Sequence, residues 1–273
     1  MVTAVARFGS TRYLNDLGRA FGGALLFSIP LLMTMEMWLQ GVAMDRWRLL
    51  AFIGGGLPLL LGLAHYAGFS RQRGLLNDTL DTAVALAVGF VTATGLLTLF
   101  GIVRGDTAPS GLIGMVTLQA APGAMGALLA RRQLAGAGSG ETEEGAASYV
   151  GELFLMAAGA LFLGLNVAPT EEMVLIAYKA TPLHALGLIL LSLGLLHLIV
   201  FRAGFAGQEE ADHPVKAFFH FTLPGYAIAL AVSLFILFVF GRTDGHWLPG
   251  VVQNVIVLGF PAAIGAAAAR LLV

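Results

Sequence analysis

Residues 30–41 read PLLMTMEMWLQG and lie inside the first long apolar run of the chain, roughly residues 20–42. Glu36 is out of place there. An acid at the centre of a spanning helix costs about 2.5–3.5 kcal/mol on insertion scales. The rest of the chain shows what solvent this stretch meets. Of 273 residues 58% are hydrophobic and only 11% charged, against about 25% charged in a soluble domain. So much apolar surface has no use in a soluble core of this length, and the class is an all-α polytopic membrane protein.

A formal net charge of −1 supplies no basic field for a polyanion, which excludes nucleic acid as a partner. The absence of cysteine excludes disulfides, thiolate metal sites and thiol nucleophiles. The 36 glycines fit close helix–helix approach in lipid, where small residues let backbones meet. Arg7, Arg12 and Arg19 precede an apolar run of full spanning length, unlike the short core of a signal peptide. The reading is an uncleaved cytoplasmic amino terminus.

A spanning helix needs about 20 mostly apolar residues. Runs of that kind fall at about 20–42, 48–69, 80–103 and 110–131, then 151–176, 183–204, 217–240 and 250–272. Eight spans return the chain to the side on which it began. Arg7, Arg12, Arg19, Arg71, Arg73, Arg131, Arg132, Arg202, Lys216 and Arg270 then share one side and outnumber Arg46, Arg48, Arg104, Lys179 and Arg242 on the other. The positive-inside rule places both termini in the cytoplasm, the expectation for a bacterial cytoplasmic (inner) membrane.

The run at 30–41 has a counterpart. Moving the sequence by 136 positions lays GALL (23–26) on GALF (159–162), TMEMWL (34–39) on TEEMVL (170–175) and AGFSRQ (67–72) on AGFAGQ (203–208). Slightly larger offsets lay PGAMGALLAR (122–131) on PAAIGAAAAR (261–270), Thr82 on Thr222, and Phe100–Gly101 on Phe240–Gly241. Chance matches of Leu and Ala are common in apolar sequence, but Thr-x-Glu-Met-x-Leu and Ala-Gly-Phe-x-x-Gln at one spacing are not. The expected architecture is two parallel four-helix repeats, residues 1–133 and 149–273. The flexible acidic linker LAGAGSGETEEGAAS (134–148) joins them. Four spans per repeat give both halves the same orientation about an axis along the membrane normal.

Glu36 falls on Glu172 and Thr34 on Thr170 under this offset. Two carboxylates at one depth attract a cation or share a proton. Pro30 and Pro169 precede them, and proline frees helix carbonyls that can join such a site. The bland alternative is that the helices end near residues 35 and 170, leaving both acids in the interface with Trp38 as an anchor. Gln253 and Asn254 open the eighth run on the same side and either join the glutamates or bond between helices. Asn166, Gln119 and Gln40 are open to the same two readings. Asp81 and His220, near the inner ends of the third and seventh runs, read as vestibule groups or as caps. His197 reads as a proton relay or a bonded core histidine, and Lys179 as a charge in a short outer loop.

Catalytic signatures are missing: the sequence has no His-Glu-x-x-His, no Gly-x-Ser-x-Gly and no P-loop. The histidines show no ligand spacing, so no cofactor is expected and no catalytic residue is assigned. GGALLFSIPLLMTMEMW (22–38), in a chain of eight apolar runs, resembles an uncharacterised family of prokaryotic integral membrane proteins catalogued as a domain of unknown function. The resemblance covers most of the chain and implies a bacterial inner-membrane protein without supplying an activity. The leading expectation is a channel or secondary transporter for a small cation or proton. The alternatives are a non-transporting scaffold, sensor or accessory subunit, and a membrane enzyme acting on lipid or isoprenoid. The bilayer, cations or protons, and further copies of the chain are the partners these readings admit.

Overall fold

The computed structural model describes residues 11–67, 74–134, 149–202 and 214–271. Among these residues all regular structure is helical. The helices are α1 (Thr11–Leu32), α2 (Met35–Ala43), α3 (Arg46–Ala67), α4 (Leu75–Leu99), α5 (Pro109–Leu134), α6 (Tyr149–Val167), α7 (Glu171–Lys179) and α8 (Pro182–Arg202). They continue with α9 (Pro214–Val239), which carries a π-helical turn at Phe218–Thr222, and α10 (Leu248–Leu271). Seven of the described helices are long and apolar enough to cross a membrane, or eight when the bent pair α1–α2 counts as one span. Linker residues 135–148 and Arg7, Arg71 and Arg73 lie outside the described residues.

The first and fifth apolar runs differ from the continuous spans expected at 20–42 and 151–176. α1 stops at Leu32, and α2 leaves at 84° to it. Pro30, in the last turn of α1, lacks an N–H and weakens the ladder. Thr34 then accommodates the break by donating its hydroxyl to the Leu31 carbonyl (2.7 Å). α6 stops at Val167, Pro169 sits in the break, and Thr170 donates to the Val167 carbonyl (2.9 Å). A residue before proline avoids the helical region, so Ala168–Pro169 stops α6 where the apolar run alone would carry it on. α2 and α7 are nine residues each, and each buries a methionine and a small residue on one side: Met37 and Gly41, Met173 and Ala177.

Two compact units emerge, one from Met1–Gly41 with Leu60–Gly140, the other from Val42–Leu59 with Glu141–Val273. In the first, α5 packs along α1 and α4 and is the most buried of the apolar helices. Glycine permits this: a methyl on Gly126 would collide with the Gly23 carbonyl, one on Gly114 with the Gly41 carbonyl, and one on Gly89 with the Ala120 carbonyl. In lipid, where apolar side chains gain nothing by leaving their solvent, such backbone approach is what holds helices together. Leu32, Ala93, Leu97, Met115 and Val116 close the core at the end where α1 breaks.

In the second unit α10 packs along α6, α8 and α9. A methyl on Gly265 would meet the Gly159 carbonyl. The core holds Met156, Leu196, Phe221, Tyr226, Ala262 and Ala266. α9 ends in a turn with Gly241 at φ 73° and the Arg242 N–H on the Leu237 carbonyl (2.8 Å). α4 ends alike, with Gly101 at φ 70° and the Ile102 N–H on the Leu97 carbonyl (3.0 Å). Positive φ at that position is the usual reason for glycine after a helix.

Candidate functional site

The helix breaks are where the sequence-derived site residues gather. Glu36 stands in the first turn of α2, half-buried, and Thr34 is the residue just before that helix. Glu172 stands in the first turn of α7, exposed, and Thr170 precedes that helix. Neither glutamate is in mid-helix, which removes most of the cost that made Glu36 conspicuous. The first turn of a helix carries unsatisfied N–H groups and the positive end of the dipole, so a carboxylate is stabilised there by about 0.3–1 kcal/mol when exposed. The C-terminal ends of α1 and α6 are negative for the same reason, with carbonyls left over at Leu31 and Val167 that the threonines take.

The break in the second unit is locked by an arginine whose sequence position suggests only a loop charge. Arg242 donates through Nη2 to the Pro169 carbonyl (2.8 Å) and to Glu171 Oε1 (3.1 Å). Gln253 donates to the Ala180 carbonyl, joining α10 to the residue after α7. Asn254 is buried next to it on α10. Lys179 is in the last turn of α7 rather than in the loop expected for it. A cation at a helix C-terminus is well placed against the dipole.

At the first unit's break a cleft of about 700 Å³ is lined by Leu32, Met33, Trp38, Phe100 and Ile102, with Arg104, Asp106 and Thr107 on its polar side. Leu32, Leu97 and Met115 form the core behind it. About one helical turn further along each of the same three helices lie three buried polar atoms without a hydrogen-bond partner: Ser28 Oγ, Thr92 Oγ1 and Gln119 Oε1. Gln119 stands among the sequence candidates. Ser28 and Thr92 carry no signal of their own, because serine and threonine are common in spanning helices and mostly bond to their own backbone.

The remaining candidates are tied into helix ends and packing. Asp81 is buried on α4, one turn beyond Asp78, which meets His65 Nδ1 at 2.8 Å. The His65–Asp78 pair is absent from the sequence reading; its one signal was a histidine in the last turn of α3 ahead of an acid in the first turn of α4. His197 bonds through Nδ1 to Thr222 Oγ1 (2.9 Å). Asn166 donates within its own helix, to the Phe162 carbonyl (2.8 Å). His220 lies exposed in the π turn, stacked on Tyr149, whose hydroxyl donates to the His220 carbonyl (2.9 Å). Among the described residues no three His, Asp or Glu side chains come together as metal ligands do.

No curated protein and no solved structure matches this chain. One family, described as integral membrane proteins and designated DUF2391, matches residues 16–273. That match takes in both helix breaks and all the helices save the first residues of α1. A multi-pass integral membrane protein with seven or eight apolar spans among its described residues, the chain belongs to the DUF2391 family.

Proposed function

We propose that this protein is a channel or secondary transporter for a small cation or proton, built from two parallel four-helix repeats with both termini cytoplasmic. The observation that carries the reading is the recurrence of one uncommon element: a helix that breaks short and resumes as a nine-residue helix with a glutamate in its first turn. The 136-residue offset found in the sequence relates the two short helices end to end, Met35–Ala43 to Glu171–Lys179. Gly23 and Gly159, which meet Gly126 and Gly265, obey it too. Broken helices at membrane depth occur where backbone lines a cavity or a site, and half-helix ends with spare carbonyls are the usual cation ligands of transporters.

In this reading Glu36 and Glu172 are the repeat-paired carboxylates that concentrate cations or carry protons, supported by Thr34, Thr170, Gln253 and Asn254. Asp81, His220, His197 and Lys179 are secondary groups. The protein resides in a bacterial inner membrane. The test is flux of protons, Na⁺ and K⁺ into liposomes holding the purified protein. Glu36→Gln combined with Glu172→Gln is expected to lower flux by about tenfold or more, as loss of a pathway carboxylate should. Unchanged flux in the double variant would reduce both acids to helix-end groups of a non-transporting scaffold.

A further inference from the structure

In the first unit, the three unpartnered polar atoms lie on three different helices, yet they belong to one place. Ser28 is on α1, Thr92 on α4 and Gln119 on α5, with exposures of 0%, 6% and 0%. Ser28 Oγ sits so close to α5 that a methyl on Gly123 would come within 2.8 Å of it, and that same methyl would be 3.2 Å from Gly89 Cα. Gln119 is one turn from Gly123 on α5, and Thr92 one turn from Gly89 on α4. Both steps run toward the break, because α4 and α5 are antiparallel neighbours. Gln119 Nε2 reaches the Leu31 carbonyl at 3.5 Å. That carbonyl can only accept, so the NH₂ faces it, and Oε1 is left as a bare acceptor.

Leaving such groups unmade is costly. A buried polar group without a partner has given up its hydrogen bonds to water with nothing in return, and in a bilayer no water stands by to restore them. Three together call for an occupant. Its chemistry follows from the donor set: two hydroxyl oxygens and an amide oxygen, all neutral, near the negative end of α1. These oxygens and the negative end of a helix dipole favour positive charge. Divalent ions recruit carboxylates to offset their larger cost of dehydration, and no carboxylate is among these three residues. We infer that the first unit binds a small monovalent cation, Na⁺ or K⁺, between Ser28, Thr92 and Gln119, behind the break of α1.

The second unit supplies an internal control. At the offsets that align the two halves, Ser28 corresponds to Gly164, Thr92 to Val232 and Gln119 to Leu258. Every side-chain oxygen is gone. There the end of the broken helix receives a cation from the protein itself, the Arg242 guanidinium on the Pro169 carbonyl. The matching turn position in the first unit is Ile102, which brings no charge. Arg104, two residues on, donates instead to the Gly101 carbonyl of its own turn (2.9 Å). One half fills its break with arginine; the other keeps three neutral, unpartnered oxygens about one turn from the core of Leu32, Leu97 and Met115.

Binding between these three residues is independent of whether Glu36 and Glu172 conduct ions, and the experiment keeps the two apart. Thermal unfolding of the purified full chain in detergent is followed by tryptophan fluorescence in NaCl, KCl or choline chloride at equal ionic strength. A saturable rise in Tm with NaCl or KCl but not choline chloride is expected, about 3–6 °C at ten times Kd. Gln119→Leu and Thr92→Val should abolish the rise. Ser233→Ala, in the second unit and already bonded to the Ala229 carbonyl, is the control that keeps it. Should Gln119→Leu misfold, Ser28→Ala is the milder variant with the same expected loss, since the second unit carries glycine at that point. Equal melting in all three salts, or a rise that survives every variant, overturns the inference and leaves the three oxygens to buried water. Salt-specific stabilisation without liposome flux sinks the transport reading alone; flux without it sinks the site alone.

Discussion

Replacing Arg48 with methionine keeps the apolar stem and removes a charged head that the fold buries, although its position beside an apolar run marks it as a surface charge. Arg48 sits in the first turn of α3, 7% exposed. One Nη donates to the Phe238 carbonyl at the end of α9 (2.9 Å), and the other pairs with Asp244. The guanidinium carbon also lies 4.9 Å from the centroid of the Trp47 ring. The charged bond to a helix-end carbonyl is worth about 1.5–3 kcal/mol, and the contact with tryptophan about 0.5–1 kcal/mol. Asp244 is 60% exposed at its side chain, so that pair is discounted to about 0.5 kcal/mol. Against these stands relief for a buried charge whose Nε makes no hydrogen bond and meets only the exposed Asp45 carboxylate at 3.9 Å. The net loss is roughly 2 kcal/mol, and for a chain of this size a Tm drop of about 4–8 °C. Detergent melts of Arg48→Met and Asp244→Asn measure it. The Asn variant should lose less than half as much, because the Phe238 carbonyl keeps its donor. If Arg48→Met melts with the wild type, or Asp244→Asn costs as much as Arg48→Met, the carbonyl is not what Arg48 holds.

Gly126→Val places a branched side chain against the Gly23 carbonyl, and overpacking of that kind costs about 1–3 kcal/mol. Size-exclusion chromatography after mild heating should show loss of the monodisperse peak, as it should for Gly265→Val against Gly159. Gly54→Ala, whose added methyl meets nothing within 4 Å, should leave the profile unchanged. Thr170→Val removes the hydroxyl from the Val167 carbonyl and should lower Tm by the equivalent of about 1 kcal/mol; no change would mean that Arg242 and Pro169 alone set the break. His197→Leu removes the bond to Thr222 and is expected to lower Tm with a smaller loss of flux than the double glutamate variant, whereas lost flux at unchanged Tm would make His197 a proton relay rather than a packing residue. Since the chain has no cysteine, single cysteines at Ser139 and Asp106 test sidedness by impermeant labelling of intact cells. Asp106→Cys should react and Ser139→Cys should not; the reverse pattern inverts the proposed orientation.

The class of this protein was legible in its sequence because the bilayer imposes a one-dimensional rule. Any stretch of about 20 apolar residues must satisfy its backbone internally, so it is a helix wherever it packs. Length and composition therefore placed the apolar helices, and the 136-residue offset pointed to the same two segments that form the short helices after each break. Where those helices stop was left open between a continuous span and an end near residues 35 and 170. Hydropathy runs on from the long helices into MTMEMW and APTEEM. The break depends on a local contest, in which proline weakens the backbone ladder and threonine donates to the carbonyl left over at the helix end. That boundary turned Glu36 from a buried charge into an acid at a helix start. Arg48 and Arg242 were hidden for another reason: a charge next to an apolar run looks the same whether it meets water or a carbonyl many residues away. Ser28, Thr92 and Gln119 share no motif, spacing or charge, and only the packing of three helices brings their buried oxygens to one end of the first unit. Periodic and additive properties can be read along a chain. Which lone oxygen faces which carbonyl depends on packing, and packing is decided in three dimensions.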